Sequence, residues 1–109
     1  MSTIPEPEQA RPWRPEDGPR PEVWTWPNAD RPSLEVWSAG AWRSAPVMAR
    51  QNWADGSVRY QVEVDLRSDT TVTIHTYKWP QPGLRKGHAS GSEPSRTADN
   101  RRRGEARRA

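Results

Sequence analysis

From Val58 to Arg67 apolar and polar residues alternate, with Val58, Tyr60, Val62, Val64 and Leu66 on one parity and Arg59, Gln61, Glu63, Asp65 and Arg67 on the other. Successive side chains of a strand point to opposite faces, so this stretch predicts a β-strand with one buried side. Ala41 to Gln51 also reads as a strand, with Ala45, Val47 and Ala49 inward. Asp55-Gly56 lies between the two, a turn signal that predicts an antiparallel hairpin. Leu34 to Trp37 predicts a shorter strand, turned at Ala39-Gly40. After Ser68-Asp69 a fourth strand is expected over Thr71 to Tyr77, with Val72 and Ile74 inward. The Trp79-Pro80-Gln81-Pro82-Gly83 stretch cannot continue a sheet interior and predicts a single 3₁₀ turn, after which Leu84-Arg85 forms a brief fifth strand.

The flanks lack this rhythm. Residues 1–22 carry Pro5, Pro7, Pro12, Pro15, Pro19 and Pro21, each of which fixes φ and removes a backbone donor. Residues 1–32 therefore read as an extended, disordered, polyproline-like arm. Its segment 23–27 (Val-Trp-Thr-Trp-Pro) is expected to dock on the folded part, because two tryptophans are costly to leave in water. From Lys86 the chain is small, polar and charged, so residues 86–109 read as a disordered basic tail with a helical fragment around 101–109. The folded unit is thus expected over residues 33–85. Four to five short antiparallel strands in some fifty residues are too few for a sandwich; a bent sheet that closes on itself, a small SH3-like barrel, is the expected all-β solution.

Composition supports one small core. The chain has 109 residues, 31% apolar and 28% charged, with 12 prolines and no phenylalanine. Apolar area is too scarce to offset an ordering cost of about 1–2 kcal/mol per residue along the whole length. There is no cysteine, which excludes thiolate metal sites and disulfides and fits a reducing cytoplasm. The start shows no apolar core of a signal peptide and no stretch approaches a membrane span, so a cytoplasmic location without membrane partners is expected. Fifteen of the 17 basic residues are arginine, a bias that points to a GC-rich bacterial genome and carries no functional information. Residues 33–85 are almost neutral, whereas residues 86–109 hold seven basic and three acidic groups.

The stretch LEVWSAGAWRSAPVMAR (34–50), with a tight turn followed by Gly-Ala-Trp and a small-residue strand, resembles the opening of Tudor and agenet domains. YQVEV (60–64) and Gly83-Leu84-Arg85 are similar to the later strands of that pattern, so the resemblance spans about residues 33–85. It implies an SH3-type barrel whose aromatic side chains near the first turn form a cage for a methylated cation, which needs two or three rings facing one point. Trp37 and Trp42 flank the Ala39-Gly40 turn on the parity opposite to the core, and Tyr77 has the opposite parity to Val72 and Ile74. These three form the candidate partner-binding patch, a groove for a protein segment being favoured over a methyl cage.

Other chemistry is weaker. Tyr60, Trp53 and Trp79 are expected to supply core mass. His75 has no second ligand at metal-binding spacing, so no metal site is expected. No phosphate loop or catalytic motif occurs, and Asp65, Asp69 and His75 read as ordinary strand and turn residues, so neither catalysis nor a cofactor is expected. The leading expectation is a non-enzymatic, accessory protein-binding module. The alternative is a nucleic-acid-associated protein that neutralises phosphates with Arg101, Arg102, Arg103, Arg107 and Arg108, and a third reading makes the aromatic patch a homodimer contact.

Overall fold

The computed structural model describes residues 4–67 and 70–97. Among these residues seven strands form: β1 (Glu22–Thr25), β2 (Ser33–Ser38), β3 (Ala41–Asn52), β4 (Val58–Val64), β5 (Thr73–Trp79), β6 (Leu84–His88) and β7 (Ser95–Thr97). All their pairings are antiparallel. Among the described residues there is no α-helix, only 3₁₀ turns at Pro15–Asp17 and Asn28–Asp30; the one expected between Trp79 and Gly83 is instead a plain turn closed by Leu84 N–H donating to Gln81 O (3.0 Å). The all-β class is the one expected, with more strands.

Both hairpin signals work through backbone that glycine permits. Ser38 pairs with Ala41, leaving Ala39 and Gly40 as a two-residue loop with φ of 51° and 79°. Positive φ at both positions is the turn whose twist matches the strands it joins. At the second hairpin Gly56 has φ of 89°, Gly56 N–H donates to Trp53 O (2.9 Å), and the Asp55 carboxylate accepts from Ser57 N–H and Oγ–H (2.9 and 2.6 Å).

β3 organises the sheet. Its residues 41–46 pair with β2, and its later half pairs with β4 and with β1. Pro46 and a bulge between Val47 and Ala49 lie where the partners change. Proline cannot donate to a ladder and a bulge bends the strand, so one long strand serves two differently oriented sets of neighbours. The inner face holds Leu34, Val36, Ala45, Val47, Val62, Val64, Tyr77 and Leu84, with Trp26, Tyr60, Leu66 and Trp79 packed against them. Ala45, Val47 and Ala49 are buried as their parity predicts.

Three expectations change. First, β5 presents the other face. Its register sets Tyr77 opposite Tyr60, His75 opposite Val62 and Thr73 opposite Val64. Directly opposed residues share a face, so Tyr77 enters the core at 2% exposure while Val72 and Ile74 stand outside at 60% and 53%. A one-residue slip moves every side chain to the opposite face, and the choice made here buries the large phenol ring in place of two aliphatic chains. Second, the sheet is open and does not close into a barrel: its path runs β5-β4-β3-β1-β7, with β2 pairing β3 and β6 off that path. Third, the sheet extends past residues 33–85. β1 lies within the expected arm and pairs both β3 and β7, and β7 lies within the expected tail. The expected docking of 23–27 thus takes the form of a strand. Asp30 holds the link between β6 and β7, accepting from Ser92 Oγ–H on its carboxylate and from Ser90 Oγ–H on its carbonyl, 2.6 Å each. The Ser92 bond first, then Gly91 N–H donating to Oδ1 (3.4 Å), hold the Asp30 carboxyl below its ordinary pKa.

Upstream of β1 the chain also lies on the sheet. Gln9 bridges Tyr77, and Ala10 N–H donates to Thr76 O (2.7 Å) along the edge of β5. Pairing of this kind covers an edge that would otherwise present unpaired backbone groups. The turn expected at Ser68-Asp69 and the helical fragment around 101–109 lie outside the described residues.

Candidate functional site

Trp37 and Trp42 meet on the outer face of β2 and β3. They are opposed across the strands, half-buried, with ring centroids 5.3 Å apart at 66°. The alternation of β2 puts them there: Leu34, Val36 and Ser38 are buried, so Glu35 and Trp37 occupy the opposite face. Edge-to-face geometry sets the positive rim of one ring against the negative face of the other.

The third element beside them is a cation supplied by the chain. Arg85 of β6 pairs with Glu35 of β2, and its guanidinium carbon lies 4.0 Å from the Trp42 ring centroid. Arg85 Nε also donates to Glu35 Oε1. A guanidinium over an indole face is the arrangement a cationic ligand would take, so Arg85 occupies that face of Trp42 from within. Gly87 continues the same surface; a Cβ there would meet Ser33 Oγ at 3.0 Å and Glu35 Cγ at 3.3 Å. The face is therefore a strip of Trp37, Trp42, Glu35 and Arg85 on paired strands.

Tyr77 does not join it. Its ring is in the core, 6.0 Å from that of His75, and burial, with the Glu6 carboxylate adding to it, pushes its pKa up to about 12. His75 is half-buried and within hydrogen-bond distance of Thr73 Oγ1 (2.7 Å) and Gln9 Oε1 (2.9 Å). The Asp65 carboxylate accepts from Thr70 N–H (2.9 Å) and Arg67 N–H (3.2 Å), an ordinary loop role. Arg101, Arg102, Arg103, Arg107 and Arg108 lie outside the described residues, as does Asp69.

Arg59 departs most from its polar parity. It is 6% exposed, with its guanidinium carbon 3.5 Å from the Trp53 ring centroid and Nη1 donating to Arg11 O (2.8 Å). Burial, its largest influence, pulls its pKa down from the ordinary guanidinium value. Trp53 is buried, and Tyr60 and Trp79 pack edge-on to each other, ring centroids 5.8 Å apart, against the core.

The structure also forms a groove that pattern reading missed. An open depression of about 280 Å³ is lined by Trp26, Leu34, Val47, Tyr60, Lys86 and His88, among others. It lies between the β1–β2 link and the end of β6 with the residues just after it, segments read from sequence as arm and tail. Only the two tryptophans of 23–27 signalled it. Compared with protein-family models, with curated proteins and with solved structures, the chain matches none.

Proposed function

We propose that this chain is a non-enzymatic protein-binding module of the SH3-like, Tudor-like kind with an opened sheet, and that Trp37, Trp42 and Arg85 are its contact surface. The observation that carries this reading is the half-exposed tryptophan pair stacked edge to face on the strand face turned away from the core. Tryptophan and arginine are the residue types that dominate binding energy at protein interfaces, and here both stand on paired strands. Rigid presentation lowers the entropy lost on association. Because Arg85 already fills the Trp42 face, a methylated cation is disfavoured as the ligand, and a polypeptide surface that takes up Arg85 and Glu35 together is favoured.

Affinity capture with wild type and with the Trp37→Ala/Trp42→Ala double variant tests this. Both residues lie outside the core, so the double variant should keep its fold, checked by circular dichroism. A partner recovered with wild type and lost with the folded double variant is the expected result. Equal recovery of every partner by both proteins would refute the assignment.

A further inference from the structure

Residues 4–11, Ile-Pro-Glu-Pro-Glu-Gln-Ala-Arg, lie against the sheet as a ligand lies against a receptor. None of the eight is buried, yet beneath them Tyr77, Gly83 and Arg59 all are. The segment is read along its length. Ala39 N–H, at the left-handed turn of the first hairpin, donates to Glu6 Oε2 (3.0 Å). The Gln81 side chain grips the backbone of Glu8 from both sides, Oε1 accepting from Glu8 N–H (2.9 Å) and Nε2 donating to Glu8 O (3.1 Å). Ala10 N–H donates to Thr76 O at the edge of β5, and Arg59 Nη1 donates to Arg11 O.

The position that selects proline is Gly83. A Cβ there would meet Pro5 O at 2.5 Å, Pro7 Cδ at 2.6 Å and Pro7 N at 2.7 Å. Gly83 cannot withdraw, because its carbonyl accepts from Trp37 N–H (2.9 Å). The notch thus takes a segment whose extended backbone comes close enough that no side chain fits between, a course that alternating prolines hold in advance. Further along, the surface adds a strand at a sheet edge, a known mode of peptide recognition.

We propose that this surface, formed by Ala39 N–H, Gln81, Gly83 and the edge of β5, binds an extended acidic segment with alternating prolines from a partner protein, and that residues 4–11 are its resident occupant in the free chain. The partner's segment displaces the arm; the arm sets the threshold. Tethering gives it an effective concentration on the order of mM, so weak competitors are excluded. This goes beyond the tryptophan face, uses other residues, and is separable from it.

The probe is a fluorescein-labelled octapeptide of the arm's own sequence, followed by anisotropy with full-length proteins. Glu6→Lys with Ala10→Pro removes two of the arm's contacts and leaves the surface intact. The expected result is half-saturation at least tenfold lower for that variant than for wild type, restored to the wild-type value or higher by adding Gly83→Ala. Binding unchanged by Gly83→Ala, or no binding to the folded arm variant, overturns the proposal. Should the arm variant fail to fold, hydrogen exchange on wild type decides. The Glu8 and Ala10 amides should exchange at least tenfold faster than Val47 N–H, which donates to Pro32 O within the sheet; equal rates would mean the arm never leaves separately, and the proposal fails. A wild-type dimer in sedimentation that Ala10→Pro dissociates would assign the surface to a second copy's arm and overturn the partner-protein assignment. Trp37→Ala/Trp42→Ala should leave peptide binding unchanged, so either reading can fail alone.

Discussion

Raising the pH from 8 to 11 tests where Tyr77 sits. In the folded chain burial lifts its pKa to about 12, against about 10 for a solvated phenol. A raised pKa means the fold favours the protonated form. The associated stability is fully present below pH 10 and is lost as pH climbs toward 12. Each pKa unit corresponds to about 1.4 kcal/mol, so the two-unit difference gives a loss of about 1.4 kcal/mol at pH 11 and approaches about 2.7 kcal/mol above pH 12. Urea unfolding of wild type and of Tyr77→Phe, side by side at pH 8 and pH 11, isolates the effect. Tyr60, Lys78 and Lys86 are common to both proteins, and the phenylalanine variant lacks only the ionising group. Wild type should lose about 1.4 kcal/mol more than the variant. Equal losses would show a solvated hydroxyl, return Tyr77 to the outer face, and undo the β5 register that builds the core.

Val62→Ala, at a fully buried core position, should cost about 2–3 kcal/mol in the same assay without changing the slope of the transition. Arg59→Ala removes a covered guanidinium from Trp53 and from Arg11 O and should cost about 1–3 kcal/mol, whereas exposed Lys78→Ala on the neighbouring strand should stay within about 0.5 kcal/mol. If the two changes cost the same, Arg59 is solvated after all. Ala39→Asn should add about 0.5–1 kcal/mol of stability and so raise the melting temperature, because asparagine tolerates the left-handed backbone that alanine is forced to adopt; a lower melting temperature would contradict the turn geometry.

The sequence alone determined what depends on near neighbours. Alternation marked β2, β3, β4 and the buried parity of Ala45, Val47, Val62 and Val64, and Ala39-Gly40 and Asp55-Gly56 marked the hairpins. The outward placement of Trp37 and Trp42 was legible for the same reason, since the apolar Leu34 and Val36 mark the parity of β2 and Ala45 and Val47 that of β3. Only the tertiary structure decided what depends on which distant strand pairs with which. In β5 and the residue before it two apolar sets of opposite parity compete, Val72 and Ile74 against Tyr77 and Trp79, and the register with β4 chose between them. That choice moved Tyr77 from the expected patch into the core. The arm has no hydrophobic period because its hold is made of hydrogen bonds to its backbone and to the Glu6 carboxylate and of a glycine notch, none of which needs apolar residues at a regular spacing. Arg85 over Trp42 joins residues far apart in the chain, and a contact of that kind exists only once β6 is laid beside β2.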